Sequence, residues 1–227
     1  MRLHKFVSNY PEALCDLPQT ETSRPASKPD LDQNLATDST TERVFGLQCH
    51  IKSDVFQFQT VKDEKLITRR GILSVVAFVY DPLGLISPFV LQGKHILQTL
   101  CREKADWDSS LDQRAYQLWN YWLHTLEELQ QIYIPRCYKP RNCEEIVKAE
   151  IHNFSDPSTT GYGQCSYLRL TDKSGEIHLT LLMSIARVAH LQPTSIPRLE
   201  LQAACTSVEI SIFLQRQLQI DCFRFSW

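Results

Sequence analysis

Glycine is scarce in this sequence, and several common site signatures are missing with it. Seven glycines occur in 227 residues, and they form neither G-x-G-x-x-G nor G-x-x-x-x-G-K-[ST]. Because such glycines let the backbone approach a phosphate closely, dinucleotide-binding and P-loop sites are not expected. The seven histidines form no H-x-x-x-H or H-E-x-x-H pair, so a zinc enzyme of that kind is not predicted either.

Long apolar runs and an excess of one charge are also missing. The longest run, Ile72 to Tyr80, ends at Asp81-Pro82 and is far shorter than the roughly 20 residues that span a bilayer. The N-terminus has no apolar segment typical of a signal peptide. A net charge of −2 is unlike that of proteins that hold nucleic acid through their overall field. We expect an intracellular protein, cytoplasmic or nuclear, that makes no membrane contact and touches nucleic acid only locally.

The eight cysteines contain no C-x-x-C pair. Cys137, Cys143 and His152 form the tightest cluster, but their spacings match no zinc finger or ribbon. Without a signal peptide, disulfides are not expected. We therefore predict free, partly buried thiols.

The apolar content of 43% excludes a chain that is disordered throughout, although one segment has few apolar residues. Residues 18–43 are predicted to be a flexible linker after a short segment at 1–17. Two strands, Val44 to Cys49 and Asp54 to Phe58, are predicted within residues 44–65. The first 65 residues are thus predicted to form short segments that are too small for a large hydrophobic core.

Residues 66–146 have a helical pattern. One helix is predicted from Thr68 to the stop at Asp81-Pro82, and a second from Ser87-Pro88 to about Lys104. Ser110 and Gln113 resemble a capping box for a third helix. Its apolar stripe is Leu111, Ala115, Leu118, Trp122, Leu126 and Leu129.

From residue 147 the apolar residues recur with a period of two, which is typical of strands. Strands are predicted at 147–156, 162–170 and 176–186, joined by turns that favour antiparallel pairing. Pro197 begins a helix of about 20 residues with Leu201, Ala204, Val208 and Ile212 along one side. Residues 222–227 begin a further strand, in which the sequence stops, as a truncated reading frame would. The class predicted is α+β.

Two carboxylates stand where metal-dependent hydrolysis could use them. Asp156 ends the first strand of this region, and Glu200 falls in the first turn of the long helix. Carboxylates from a strand end and a packing helix can hold divalent ions that activate water. Asp before Pro is also an ordinary turn residue, and Glu near a helix start is favoured by the helix dipole, so spacing alone leaves both interpretations open.

Several ordered stretches resemble the pol polyprotein of BEL/Pao-type LTR retrotransposons. They are R-L-H-K-F-V-S-N at 2–9, T-E-R-V-F-G-L-Q at 41–48, D-P-L-G-L-I-S-P at 81–88, F-S-D at 154–156 with G-Y-G at 161–163, A-R-V-A at 186–189, and I-P-R-L-E-L at 196–201. The resemblance covers nearly the whole chain apart from the linker.

The resemblance implies a place within a polyprotein. Residues 1–17 and 44–65 are similar to the end of a reverse-transcriptase palm, 66–146 to a helical thumb and connection, and 147–227 to the first part of a ribonuclease H-like domain with a mixed sheet and one long helix. No Tyr-x-Asp-Asp box occurs. The parent polyprotein would handle RNA–DNA hybrid during reverse transcription.

The motif match also implies a partial site. Asp156 and Glu200 correspond to the first two catalytic carboxylates, which are ligands of Mg²⁺ in the intact domain. A third carboxylate normally follows a Trp, and the sequence stops at Trp227. The fragment alone is therefore expected to bind Mg²⁺ weakly or not at all and to be inactive. Arg69, Arg70, Lys139 and Arg141 are candidates for phosphate contacts, or simply solvated basic residues.

The sequence departs from the family pattern at Asp156-Pro157-Ser158, where Asp-Ala-Ser is usual. Two alternatives remain open. The chain could be a non-catalytic remnant that binds nucleic acid or another partner. The family also carries a peptidase label, but a retroviral-type aspartic protease needs Asp-[Ser/Thr]-Gly, which does not occur here.

Overall fold

The computed structural model describes Glu12, Cys15 and residues 41–44, 47–58, 67–140, 143–192 and 194–218. The chain divides into two compact units, residues 1–59 with 128–137 and residues 60–127 with 138–227. The predicted α+β class is confirmed. Most of the predicted palm segment at 1–17, the linker up to residue 40 and the last strand at 222–227 lie outside the described residues. In the described part of the chain, no helix is long and apolar enough to cross a membrane.

The first unit contains a four-stranded antiparallel sheet. Its strands are β1 (Thr41–Val44), β2 (Leu47–His50), β3 (Val55–Gln57) and β4 (Tyr133–Pro135), in that order across the sheet. The single strand predicted from Val44 to Cys49 is wrong, because Val44 pairs with Leu47 across two separate strands. The predicted linker also extends too far, since Thr41–Arg43 belong to β1. β4 was not predicted, because its three residues carry no alternating pattern.

The first two helices of the second unit begin where the sequence predicts, and the third begins later than the predicted cap at Ser110. They are α1 (Arg69–Phe78), α2 (Ser87–Arg102) and α3 (Gln113–Glu128). The Thr68 hydroxyl accepts a hydrogen bond from the Gly71 amide at 3.2 Å, which satisfies a free N–H at the start of α1. The capping box predicted at Ser110 is wrong. The Asp112 carboxylate accepts from the Ala115 amide at 2.7 Å, while Ser110 forms a β-bridge with Thr68.

Aromatic side chains form the core between α2 and α3. The rings of Phe89 and Trp122 stack with centroids 4.9 Å apart, and Trp119 stacks on Trp122 at the same distance. The Trp122 indole N–H donates to the Phe89 carbonyl at 3.0 Å. The predicted stripe is only partly right, because Leu118 is 49% exposed and Trp119 is buried in its place.

A three-stranded antiparallel sheet follows, with strands β5 (Ile146–Pro157), β6 (Gly161–Asp172) and β7 (Ile177–Val188). This confirms the predicted hairpins. The helix α4 (Ile196–Leu218) packs on β5 and β6. The shared core consists of Ala149, Ile151, Leu168, Leu170, Leu182 and Leu214.

The apolar side predicted for α4 is not the side that packs. Leu201 is 64% exposed, and Val208 and Ile212 are exposed as well. The buried residues are Leu199, Ala203, Thr206, Ser207, Ser211 and Leu214. Small side chains allow the helix to approach the sheet closely, so the packed side is less hydrophobic than the side that faces solvent.

A turn at Asp81–Gly84 attaches the helices to β7. The Ser184 amide donates to the Leu83 carbonyl at 2.9 Å, and the Ser184 hydroxyl donates to the Gly84 carbonyl. The Asp81 carboxylate accepts from the amides of Leu85 and Ile86 at 2.8 and 2.9 Å. Burial raises the pKa of this carboxyl, although these amides act to lower it. The helices and the sheet thus belong to one compact unit, and the domain boundary predicted at residue 146 differs from this division.

Candidate functional site

The two faces of the β5–β7 sheet have different environments. α4 covers one face, where the Asn153 amide nitrogen donates to the Ser211 hydroxyl at 3.2 Å. Residues alternate along β5, so Phe154 and Asp156 lie on the opposite face. Both are exposed, and Phe154 makes an edge contact with Tyr167 at 6.2 Å between ring centroids. Asp156 therefore belongs to the face that α4 leaves open.

Asp156 lines a cavity of about 610 Å³ on this open face. In the ladder Asp156 pairs with Gly163, which in turn pairs with Ala186. These two small residues leave space beside the carboxylate, and Ser87 and Pro88 from the first turn of α2 border the same space. The start of a helix favours negative charge nearby, so this position suits a carboxylate.

The Asp156 carboxylate is available for binding. No side-chain hydrogen bond or ion pair joins it to any residue that the structure describes, and it is exposed to solvent. A free carboxylate is a hard oxygen donor of the kind that Mg²⁺ prefers. The residue matches the chemistry that the resemblance implies, although it is the only carboxylate among the described residues that line the cavity.

Glu200 lies elsewhere. α4 begins at Ile196, so Glu200 is its fifth residue and falls just after the first turn, which contains no acidic residue. The predicted first-turn position is therefore wrong by one residue. Glu200 is exposed beside the buried Leu199, and it does not line the cavity of Asp156. The structure does not bring the two carboxylates into a common cavity.

A buried polar network supports the strand that carries Asp156. The Ser166 hydroxyl lies 2.7 Å from Oδ1 of the Asn153 side chain and 3.0 Å from Oε1 of the Gln164 side chain. All three side chains are buried, and the Asn153 bond to Ser211 joins them to α4. These hydrogen bonds favour one alignment of β5, β6 and α4, although the buried Gln164 amide nitrogen has no partner among the described residues.

The predicted phosphate contacts have mixed outcomes. Arg69 donates to the Ala105 carbonyl at 2.9 Å and lies over the Trp107 ring at 3.9 Å. Arg70 forms a two-bond ion pair with Asp108 at 2.7 and 3.0 Å. Both guanidinium groups are thus engaged within the chain. Lys139 is exposed, and Arg141 lies outside the described residues.

A second cavity carries positive charge that the sequence analysis missed. It has a volume of about 830 Å³ and is lined by residues of α2, the end of β7, the following loop and the start of α4. Lys94, His190 and Arg198 are among these residues, and none of the described residues that line the cavity is a carboxylate. The three are far apart in sequence, so no charge run marked them. Such a cavity can accept a phosphate group.

Comparison with known proteins gives one match. A family model described as the Pao retrotransposon-like RNaseH-like domain matches residues 68–226. This range includes the helices α1–α3 as well as the sheet and α4. A search of curated proteins found no match.

Proposed function

The chain belongs to the Pao retrotransposon-like RNaseH-like domain family, and on this basis we propose that it binds RNA–DNA hybrid within a retrotransposon pol polyprotein. The observation that carries the proposal is the free Asp156 carboxylate in its cavity on the open sheet face. The proposal includes a reverse-transcriptase origin for residues 1–65 and a thumb-like role for α1–α3.

Asp156 is the proposed Mg²⁺ ligand in this cavity, and Glu200, which does not line it, is a separate candidate ligand. In ribonuclease chemistry the metal activates water and stabilises the leaving oxygen. Asp156 offers two free oxygens, and Glu200 is an exposed carboxylate near the start of α4. Two carboxylates are an incomplete set for a two-metal site, so these 227 residues are expected to bind hybrid with little cleavage.

The basic cavity is the proposed phosphate contact. Lys94 and Arg198 come from α2 and α4, and both are exposed. Their charges are local, which agrees with the near-neutral net charge of the whole chain. Phosphate contacts of this kind position a nucleic acid and make its affinity depend on salt.

We expect Asp156→Asn to weaken Mn²⁺ binding to the full chain by roughly tenfold or more, because it removes an anionic oxygen ligand. Electron paramagnetic resonance of free Mn²⁺ measures this affinity. Glu200→Gln is expected to have a smaller effect, because Glu200 does not line the cavity of Asp156. Glu209→Gln alters another exposed carboxylate of α4 and should leave the affinity unchanged.

The same proteins are then tested on an RNA–DNA hybrid in Mg²⁺ or Mn²⁺. Fluorescence anisotropy should show hybrid binding that is stronger than binding of single-stranded DNA, and gels should show little cleavage. Equal Mn²⁺ affinity in the wild type and Asp156→Asn, or no preference for hybrid, would overturn the proposal. Strong cleavage that disappears in Asp156→Asn would show that the expected inactivity is wrong.

We expect the double variant Lys94→Gln, Arg198→Gln to bind hybrid less tightly and with a weaker salt dependence. The slope of log affinity against log salt should fall by about one for each lost phosphate contact. Arg216→Gln, in the last turn of α4, is the matched control. An unchanged slope in the double variant would remove the basic cavity from the proposed interface.

A further inference from the structure

A group of three side chains with metal-ligand chemistry lies at the end of the sheet away from Asp156. The ligand atoms of Cys143, Asp172 and His178 all fall within 4.8 Å of one another. Cys143 precedes β5, Asp172 ends β6 and His178 lies near the start of β7. The β5–β6 and β6–β7 pairings bring these three positions together.

The carboxylate of Asp172 is already oriented by its surroundings. Its side chain is 2% exposed. One oxygen, Oδ1, accepts hydrogen bonds from the Ser174 hydroxyl at 2.6 Å and the Glu176 amide at 2.9 Å. The other oxygen, Oδ2, faces His178. Hydrogen bonds to one oxygen commonly fix a carboxylate that binds metal through the other.

His178 supplies the second observation. Its Nε2 atom is shielded from solvent and makes no hydrogen bond to any group in the described part of the chain. Nε2 lies 3.5 Å from Oδ2 of Asp172, too far for a good hydrogen bond. Buried nitrogen atoms are nearly always well partnered, so this long contact with Asp172 leaves Nε2 able to bind a further ligand.

One of the three distances agrees with tetrahedral zinc, and the others lie within 4.8 Å, so the ligands draw closer together around a bound ion. Ligand bonds of roughly 2.0 to 2.3 Å in tetrahedral geometry place ligand atoms about 3.3 to 3.6 Å apart. The distance of 3.5 Å between Nε2 and Oδ2 already meets this value. Thiolate sulfur and imidazole nitrogen select Zn²⁺ over Mg²⁺ or Ca²⁺, which bind oxygen.

Contacts between two adjoining segments of the same chain also hold the cluster in place. The Lys173 amide donates to the Glu145 carbonyl at 3.0 Å, and the Lys173 ammonium pairs with the Glu145 carboxylate. These contacts fix the segment before β5 against the β6–β7 turn. A metal ion there would join the beginning of β5 to that turn.

We propose that Cys143, Asp172 and His178 bind one Zn²⁺ ion as a structural site, with water as the fourth ligand. The site is separate from the cavity of Asp156 and does not depend on the proposed function. Sequence spacing alone predicted no zinc site, because the cluster forms only when the two hairpins pair.

The test uses the full chain, freed of metal with chelator and kept reduced. Co²⁺ is added as a spectroscopic substitute for Zn²⁺. We expect one Co²⁺ per chain, with the near-ultraviolet charge-transfer band of a cobalt–thiolate bond and visible bands of tetrahedral intensity. Zn²⁺ should displace the Co²⁺ stoichiometrically, and a chelator competition then gives the Zn²⁺ affinity.

Cys143→Ser should abolish the charge-transfer band, and His178→Asn should weaken Zn²⁺ binding by roughly tenfold or more. Cys205→Ser is the matched control, because Cys205 is a free, exposed thiol of α4. Circular dichroism of each variant establishes that it is folded. A wild-type chain without stoichiometric Co²⁺ binding, or a band that survives in Cys143→Ser, would overturn the proposal.

Discussion

Replacing Gly84 with alanine is expected to destabilise the second unit by about 3 kcal/mol or more. Gly84 has a φ of +72°, in the left-handed region, where a side chain costs roughly 1 to 2 kcal/mol. The added Cβ would also lie 1.7 Å from the Ser184 carbonyl oxygen, which is a backbone atom. β7 would have to move away and would lose its hydrogen bonds to Leu83 and Gly84. Tryptophan fluorescence in urea measures the change, because Trp107, Trp119 and Trp122 belong to this unit.

Gly175→Ala separates the two causes. Gly175 also has a positive φ, +85°, but an added Cβ there meets no atom within 4 Å. We expect it to cost about 1 kcal/mol from backbone strain alone. Equal effects of the two substitutions would mean that the contact with Ser184 contributes nothing, and would contradict the tight attachment of this turn.

Trp122→Ala is expected to lower the free energy of unfolding by about 3 to 5 kcal/mol. The side chain is 1% exposed and stacks on both Phe89 and Trp119. Its loss leaves a large cavity between α2 and α3 and removes the only donor that the described residues give the Phe89 carbonyl outside its own helix. Urea unfolding followed by far-ultraviolet circular dichroism measures the loss without relying on the deleted fluorophore.

Two further substitutions test the cause of that loss. Tyr121→Ala removes a neighbouring aromatic ring that is 72% exposed, and it should change stability by only about 0.5 kcal/mol. Trp122→Phe keeps a ring but loses the indole N–H, so its loss in the free energy of unfolding should lie between those of Tyr121→Ala and Trp122→Ala. If Tyr121→Ala cost as much as Trp122→Ala, burial of the indole in the core would not be the cause of the loss.

The sequence predicted the β5–β7 hairpins well because local features determine them. Alternating apolar residues, with turns at Gly161 and at 171–175, define both pairing and direction. α1 and α2 were likewise predictable from Thr68, Pro88 and the stop at Asp81-Pro82. These signals act within a few residues of the element that they specify.

Helix faces were harder to predict, because packing decides them. On α4 the strongest apolar side, with Leu201, Val208 and Ile212, faces solvent, while Ser207 and Ser211 lie against the sheet. Asn153 provides the hydroxyl of Ser211 with a partner across the interface, so a polar residue is satisfied there. Hydrophobicity alone cannot reveal a partner that another strand supplies.

The candidate site residues also differ in whether local sequence or tertiary packing identifies them. Motif resemblance selected Asp156, but the cavity beside it depends on the small residues Gly163 and Ala186 of two other strands. Lys94 and Arg198, and the cluster of Cys143, Asp172 and His178, are brought together only by tertiary packing. Arg69 and Arg70 were also selected from the sequence, which could not show that Trp107 and Asp108 contact them within the chain.

The turn at Asp81–Gly84 also affects association between molecules. β7 is the outer strand of the described β5–β7 sheet, and an outer strand presents unpaired amides and carbonyls that can recruit a strand from another chain. The Ser184 amide, in the middle of that strand, already donates its hydrogen bond to the Leu83 carbonyl. A foreign strand could not pair along the whole of β7 without displacing this turn, so the docked helices protect this edge of the sheet against edge-to-edge aggregation.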